Sequence, residues 1–251
     1  MKKDSETSFN PEEEQKRLQE EYFDEDPDTY ASVFYSGIWN QYRQEAAKKV
    51  LRKAPRPLKI VDVGCGPIPS LPGLLQQSEE YHCLDISSEN LSRIEKYFPK
   101  CRALKGDAEK LPFPDNYFSV VILFGLLHHV SRPEKILAEA RRVLIPGGVT
   151  VSFDPCPYWN ESLPAPGERG LSPEEVKSYY SNGWRYKIER WVYIPTMETF
   201  IFKPLTKPGL WKKITLWQGT WKILAFLEKI LRRIWPGGGT FTFVIALKND
   251  F

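Results

Sequence analysis

The chain has little of what secreted, membrane-spanning or zinc-binding proteins depend on. Its 251 residues include only four cysteines and three histidines, and Cys65, Cys83, Cys101 and Cys156 show no metal-ligand spacing. No apolar stretch reaches the roughly 18 residues that span a bilayer. The charged N-terminus also lacks the apolar segment typical of a signal peptide. We therefore expect reduced cysteines, no metal site and a cytoplasmic location.

Positive and negative charges nearly cancel, leaving a net charge of +3, which predicts no general affinity for nucleic acid. Their distribution is uneven. Residues 1–30 carry eleven acids against four bases, a net of −7, whereas residues 203–235 carry eight bases against one acid, a net of +7. The two segments can attract each other, or the basic one can serve an anionic partner.

A glycine turn after a short apolar run is the most informative motif. The run at 58–63 contains an acid, Asp62, and ends at Gly64 and Gly66. A plain core strand would exclude an acid, and two glycines one residue apart let a backbone turn tightly against a ligand. The motif predicts a binding site at the carboxyl end of a buried strand.

Further acids follow at the spacing of successive strand–helix–strand units. Asp85 closes the next apolar run, and Gly106 with Asp107 follows the third. The turn at 64–69 lacks the third glycine of the dinucleotide fingerprint, which brings a helix N-terminus against a pyrophosphate. A ligand with a ribose and a zwitterionic tail but no phosphates fits better, and an NAD-dependent enzyme is the less favoured alternative.

From these motifs onward, the chain resembles class I S-adenosylmethionine-dependent methyltransferases, in particular the small-molecule branch that includes ubiquinone and menaquinone methyltransferases. The resemblance covers roughly residues 40–155 and a final strand. Its motifs are Val-Asp-Val-Gly-Cys-Gly (61–66), Leu-Asp-Ile-Ser (84–87), Lys-Gly-Asp-Ala-Glu-Lys-Leu-Pro-Phe-Pro-Asp (105–115), Phe-Ser-Val-Val-Ile-Leu-Phe-Gly-Leu-Leu-His-His-Val (118–130) and Arg-Arg-Val-Leu-Ile-Pro-Gly-Gly (141–148). Ile68 stands where the family often has a third glycine.

The resemblance implies S-adenosyl-L-methionine as cofactor and a role for each motif. Asp85 would accept hydrogen bonds from both ribose hydroxyls, Asp107 from the adenine amino group, and Asp62 would anchor the ammonium group. The expected cofactor-binding residues lie at strand ends and in the turns that follow: Asp62, Gly64, Cys65, Gly66, Asp85, Ile86, Asp107, Ala108, Phe124 and Gly125. A plain tight turn is the alternative for the glycines, and a loop-stabilising role is the alternative for Asp62.

The alternation of strands and helices predicts an α/β, Rossmann-like fold with a mostly parallel seven-stranded sheet, helices on both faces and a late antiparallel strand. Strands are expected at 58–63, 81–85, 101–105, 118–124, 148–154 and 240–247. The predicted organisation is an acidic N-terminal arm that can form a lid (1–40), a cofactor-binding core (41–155), a substrate-side elaboration (156–238) and a final core strand (239–251).

The N-terminal region leaves alternatives open. Residues 1 to about 25 are interpreted as a frayed helix or a disordered arm. The aromatic segment 30–51 leads into a helix at 44–52 and either lies across the cofactor as a lid or covers one edge of the sheet. Capping boxes at Ser131–Glu134 and Ser172–Glu175 predict the starts of two further helices.

Methyl transfer from a sulfonium requires mainly that acceptor and methyl group are held in line and that water is excluded. His128 and His129 are candidates for a general base, with structural packing or capping as the alternative. Four aromatic residues are candidates for lining the acceptor site: Tyr35, Tyr42, Tyr158 and Trp159. The predicted function is methyl transfer to a small or lipid-like molecule; a non-catalytic cofactor-binding module is the alternative.

A basic aromatic segment at 211–235 completes the set of candidate sites. Residues 221–235 form a predicted amphipathic helix with Phe226, Leu227, Ile230, Leu231 and Ile234 on its apolar side. Such a helix, bordered by tryptophans, is typical of peripheral membrane contact. The same pattern also suits packing on the sheet or on a second subunit, so a homo-oligomer stays open.

Overall fold

The computed structural model describes residues 10–25, 37–157, 167–191 and 241–249, together with residues 226, 227, 230, 231, 233 and 234. Its strands, in chain order, are β1 Lys59–Val63, β2 Glu80–Asp85, β3 Arg102–Lys105, β4 Phe118–Phe124, β5 Leu144–Pro155, β6 Trp184–Trp191 and β7 Phe241–Lys248. They form one seven-stranded sheet in the order β3-β2-β1-β4-β5-β7-β6.

Strands β1 to β5 pair in parallel, whereas β7 runs antiparallel between β5 and β6. The predicted fold class is therefore confirmed. Because β1 lies between β2 and β4, the chain crosses from one side of β1 to the other. The carboxyl ends of these strands border the crevice where α/β sheets bind ligands.

The helices are α1 Pro11–Glu25, α2 Gly37–Leu51, α3 Ser88–Tyr97, α4 Pro133–Val143 and α5 Pro173–Tyr179, with short 3₁₀ turns at Pro72–Leu74 and Leu127–His129. The described residues among 226–234 are also helical. None of the helices described here is long and apolar enough to cross a membrane.

Two hydrophobic cores cover the two faces of the sheet. Ile60 of β1 faces the core that α2 joins, while Val61 and Val63 face the core that α4 joins. This alternation follows from the two-residue period of a strand. On α4 the predicted apolar face is buried, which fixes the helix against β4 and β5.

Helix starts and core contacts differ from expectation in three places. Helix α2 begins at Gly37 rather than at residue 44, and its Tyr42 packs in the core near the Phe153 ring. Helix α4 starts at Pro133 without a side-chain cap, so the capping box predicted at Ser131 is wrong. Proline at the first helical position suffices there, because its missing N–H needs no partner. The capping box at Ser172 is confirmed.

Strand β6 arises within the segment predicted as a substrate-side elaboration, where a helix start was expected at Ser172 but no strand. The β6 sequence contains four charged residues and is mostly exposed or half-buried, so it lacks the apolar pattern of a core strand. Pairing with β7 over its whole length, from Trp184 to Trp191, forms it instead.

Candidate cofactor site

A cavity of about 740 Å³, counting the part that opens to solvent, lies at the carboxyl ends of β1, β2 and β4. It is bordered by the glycine turn, by the loops after β2, β3 and β4, and by one face of α1. The lining residues are Lys16, Gln19, Phe23, Gly64, Gly66, Leu84, Asp85, Ile86, Asn90, Gly106, Asp107, Ala108, Glu109, Gly125, Leu126, His129, Val130 and Ile136.

The glycine turn brings bare backbone to this cavity. Gly64 and Gly66 both have positive φ, +65° and +63°, a conformation that costs other residues about 1–2 kcal/mol. A Cβ on Gly64 would lie 2.7 Å from Cδ1 of Leu126. The Gly64 N–H donates to the Leu84 carbonyl at 2.7 Å, so the turn is fixed to the end of β2.

Asp85 lies beside this turn and is held by main-chain donors. The Gly66 N–H donates to Oδ2 at 2.8 Å, and the Ser87 N–H donates to Oδ1 at 2.9 Å. Burial raises the pKa of Asp85, and these two N–H donors oppose that rise. Each carboxylate oxygen accepts several hydrogen bonds, so the side chain can still accept from vicinal hydroxyls of a ligand.

Asp107 occupies the third strand end and is shared with α1. Its Oδ1 accepts the Glu109 N–H at 2.9 Å. Its Oδ2 accepts from the Lys16 ammonium at 2.7 Å, and the same ammonium is 3.1 Å from Glu109. Gly106 precedes it, and a Cβ there would lie 2.9 Å from the Leu84 side chain. The sequence did not point to Lys16 or Glu109.

Three of the expected cofactor residues lie behind the cavity wall. Asp62 is fully buried; its Oδ2 accepts from the Ser70 N–H at 2.6 Å and from the Tyr81 hydroxyl at 2.9 Å. Its Oδ1 has no hydrogen-bond partner among the described residues. Burial raises the pKa of Asp62 to about 6. The two others are packed: the Cys65 thiol donates to the Gly66 carbonyl, and the Phe124 ring stacks on Phe153.

Helix α1 covers the cavity. Lys16, Gln19 and Phe23 face into it, while Glu12 pairs with Arg132 and Glu20 pairs with Lys105 at 2.5 Å. In the described structure these acids of the arm pair with the core. Asn10 precedes α1, and asparagine is typical of helix starts. Its side chain accepts from the Glu12 N–H, so Asn10 is a sequence signal for the start of α1. The sequence did not indicate which face of α1 meets the cavity, because only Gln19 of this helix is buried.

The two candidate histidines occupy different environments. His129 lines the cavity, whereas His128 lies between Asp154, 3.0 Å from Nδ1, and Glu168, 3.1 Å from Nε2. Burial would lower the pKa of His128, but the two carboxylates outweigh it and raise the pKa above its usual value. Burial and the neighbouring His128 lower the pKa of His129 well below its usual value.

Of the residues expected to line an acceptor site, Tyr42 lies in the core at 3% exposure. Tyr35, Tyr158 and Trp159 lie outside the described residues.

Residues 61–152 match the family described as the methyltransferase domain. This part of the chain is therefore similar to a methyltransferase domain. The match includes β1 to β4 and most of β5, the part of the sheet that borders the cavity. The predicted resemblance to class I S-adenosylmethionine-dependent methyltransferases is thereby confirmed.

Curated relatives share this domain over part of their length. The spinach chloroplastic 2-methyl-6-phytyl-1,4-hydroquinone methyltransferase is 28% identical over 130 residues, 50% of this chain and 38% of that protein. The ubiquinone/menaquinone biosynthesis C-methyltransferase UbiE of Paraburkholderia phytofirmans is 36% identical over 94 residues, 33% of this chain and 39% of that protein. The chain thus spans about two fifths of the length of these relatives.

Solved structures share the fold over most of the chain. A putative methyltransferase in complex with the Haloferax volcanii Trm112 methyltransferase activator has a TM-score of 0.62 at 18% identity, covering 91% of this chain and 98% of that one. An S-adenosylmethionine-dependent methyltransferase from Thermotoga maritima, a possible histamine N-methyltransferase, has a TM-score of 0.61 at 16% identity, covering 92% and 100%. The whole described sheet therefore belongs to the methyltransferase architecture.

The methyltransferase domain has the features that S-adenosyl-L-methionine, the cofactor of this class, requires. Glycine at position 64 lets the Leu126 side chain, which lines the cavity, approach to 2.7 Å from where a Cβ would lie. Asp85 and Asp107 end two neighbouring strands with carboxylates on the cavity. The unpartnered Oδ1 of Asp62 is a buried acceptor suited to an ammonium group or a bridging water. These residues fit the cofactor.

Proposed function

We propose that the protein is an S-adenosylmethionine-dependent methyltransferase that acts on a small or lipid-like molecule. The observation that carries the proposal is Asp85, a buried carboxylate at the end of β2 that lines the cavity beside the glycine turn. Its oxygens accept hydrogen bonds from Gly66 and Ser87, so its position is set before any ligand binds.

The chain's own residues would bind and orient the cofactor and the acceptor, and they would exclude water. Asp85 would bind the ribose of the cofactor. Asp107 and the Ala108 N–H would bind the adenine edge, and Asp62 would bind the ammonium end. The cofactor supplies an activated methyl group on a positively charged sulfur. Helix α1 covers the cavity, and Phe23 and Leu126 make part of the cavity lining apolar. An apolar lining favours exclusion of water around a reacting methyl group.

A lipid-like acceptor is proposed from the names of the relatives. One relative is named for a hydroquinone that carries a phytyl group, and the other is named for ubiquinone/menaquinone biosynthesis. We therefore propose an aromatic hydroxyl compound with an apolar tail as the acceptor class.

Calorimetry and a transfer assay test the proposed activity. S-adenosylmethionine should bind with an affinity in the micromolar range and NADH should not bind. Isotope from the labelled methyl group should pass to a hydroquinone with a short prenyl tail. Binding of S-adenosylmethionine without transfer to any hydroquinone, phenol or amine acceptor would support a non-catalytic module; NADH binding would overturn the cofactor assignment.

We also propose that the segment around 226–234 contacts the cytoplasmic side of a membrane. Phe226 is 64% exposed and Ile234 70% exposed, and Leu227 and Ile230 are exposed as well. Exposed apolar residues on a helix in a strongly basic segment suit an anionic bilayer surface. The free, buried cysteines accord with a reducing compartment.

Cosedimentation with liposomes tests this contact. Vesicles containing anionic lipid should retain the protein, purely zwitterionic vesicles should not, and retention should fall as salt rises. A Phe226→Ser/Ile234→Ser variant should lose retention. Absence of binding at low salt would remove the membrane proposal, and a dimer in solution that this variant dissociates would assign the apolar face to a second copy of the chain.

A further inference from the structure

Two adjacent histidines and a distant carboxylate converge beside the cofactor cavity. One ligand atom from each of His128, His129 and Glu168 lies within 4.8 Å of the others. Glu168 is 40 residues from His128 in the chain, so no spacing rule in the sequence links the three. The turn Leu127–His129 follows β4, and the backbone beyond β5 returns to it: the Arg169 N–H donates to the His128 carbonyl at 3.0 Å.

We propose that His128, His129 and Glu168 form a binding site for a divalent transition-metal ion of the zinc class. Two imidazoles and one carboxylate are the protein ligands of many catalytic zinc sites. The same set also suits iron, manganese or cobalt, whereas magnesium and calcium prefer oxygen ligands alone.

The distances suit a small ion. Glu168 Oε1 lies 3.1 Å from His128 Nε2 and 3.8 Å from His129 Nε2. Two ligand atoms about 2 Å from a tetrahedral zinc ion are separated by roughly 3.3 Å. The side chains of all three residues are at most 9% exposed, so the site is shielded from solvent and its ligands are held by packing.

The surroundings of His128 match those of a metal-binding histidine. Asp154 Oδ1 lies 3.0 Å from Nδ1 and also accepts the His128 N–H at 3.2 Å. A carboxylate on the far nitrogen fixes the tautomer and directs the other nitrogen toward a metal ion. Asp154 is itself 2% exposed, so the orientation of the ring is fixed before an ion binds.

The buried ring of His129 is a second, independent observation that supports the metal site. Its ring is buried at 7% exposure, Nδ1 has no hydrogen-bond partner among the described residues, and Nε2 is 3.8 Å from Glu168. A buried polar group without a partner is costly. Nε2, the nitrogen nearer Glu168, would bind the ion and so fix the ring, whereas Nδ1 would stay outside the ligand set. Because His129 also lines the cofactor cavity, the ion would lie at the wall of that cavity.

Zinc titration of the chelator-treated protein tests the proposal. Calorimetry should show one Zn²⁺ bound per chain, and excess Mg²⁺ should not displace it. His129→Gln and Glu168→Gln should each weaken binding by roughly 100-fold or more, since losing a ligand exceeds the 10–100-fold cost of losing its supporting partner. Asp154→Asn should weaken binding by that smaller factor.

The third histidine of the chain provides the matched control. His82 pairs with Glu80 on β2 and does not line the cavity, so His82→Gln should change zinc affinity by no more than about twofold, the scatter expected for a group outside the ligand set. Glu168→Gln keeps a group that can hydrogen-bond to His128, so it should fold even if a histidine variant does not; thermal unfolding checks this.

No saturable zinc binding, full affinity in Glu168→Gln, or an equal loss in His82→Gln would overturn the metal site. His128 would then be a histidine held between two carboxylates. Zinc binding is measured without cofactor or acceptor, so its failure leaves the methyltransferase assignment untouched.

Discussion

The cofactor cavity has a wall and a cover that are built in different ways. The wall consists of the ends of β1, β2 and β4. Asp85 on the wall and Asp62 behind it are both buried and accept hydrogen bonds from backbone N–H groups. The cover is α1, which has a single buried residue, Gln19. Its polar contacts with the core come mostly from charged side chains such as Lys16, 30% exposed.

Because of this difference, ligand recognition depends on the wall, whereas ligand access depends on the cover. Moving the main-chain donors away from these buried carboxylates would leave buried groups without partners, which is costly. Solvent-exposed ion pairs contribute only about 0.2–1 kcal/mol each and weaken with salt. We therefore expect the cover to lift more readily than the wall rearranges, so that a ligand can reach a site that is already formed.

Removing the wall carboxylate should have the largest effect. Asp85→Ala should weaken S-adenosylmethionine binding by roughly 2–4 kcal/mol, because two hydrogen bonds to a charged group are lost. Calorimetry measures the change. Asp24→Ala is the matched control: Asp24 accepts from the Ser87 hydroxyl, in the same loop but from the cover, and its loss should stay within about 1 kcal/mol. Equal losses in both variants would erase the distinction between wall and cover.

The buried Asp62 should make the stability of the wall depend on pH. Its pKa is about 6 in the folded protein against about 3.9 when unfolded, so the folded state holds the proton more tightly. Its contribution is fully present below pH 4 and is lost as pH rises through 6. The total loss is about 3 kcal/mol at 1.36 kcal/mol per pKa unit.

Chemical unfolding between pH 4 and pH 7 measures this effect as the difference between the wild type and Asp62→Asn. The asparagine oxygen can still accept from Ser70 and Tyr81, and its amide no longer ionises. A parallel pH profile in the two proteins would show that Asp62 keeps an ordinary pKa.

Gly64 and Gly147 have similar backbone conformations but different surroundings. Alanine substitutions at the two positions therefore distinguish backbone strain from a steric clash. Gly64 and Gly147 have φ of +65° and +68°, but a Cβ at Gly147 meets nothing within 4 Å. Alanine at either position should lower stability by about 1–2 kcal/mol through the left-handed conformation. Only Gly64→Ala should also weaken cofactor binding, since its Cβ pushes Leu126 toward the cavity. Thermal unfolding and calorimetry measure the two effects, and unchanged affinity in Gly64→Ala would place the ligand elsewhere.

Loosening the cover should have the smallest effect. Lys16→Gln removes the pairs with Asp107 and Glu109, together about 1 kcal/mol. Cofactor association and dissociation should both become up to about fivefold faster, with affinity little changed. Stopped-flow fluorescence measures both rates.

The neighbouring Arg17 pairs only with Glu14 and Glu21 of its own helix among the described residues. Arg17→Gln removes the same charge from α1 and should leave both rates unchanged. If the two variants behave alike, the effect comes from net charge and not from the contact with the wall.

The sequence alone determined strands β1 to β5 and β7 of the sheet and much of the wall. Glycines at 64 and 66 and acids at 85 and 107 are local signals, because the backbone conformation and the strand ends they mark depend on neighbouring residues in the chain. Seven of the ten expected cofactor residues line the cavity. Their roles toward the cofactor remain predictions.

Tertiary structure decided the rest. The polar sequence of α1 carries no apolar stripe that fixes its position, so Lys16 reaches Asp107 only because the helix docks on the strand ends. Strand β6 exists through its pairing with β7, which no local pattern encodes. Glu168 meets His128 across 40 residues because the chain folds back beside β4. Contacts between residues distant in sequence depend on how elements pack, and local patterns determine only the elements themselves.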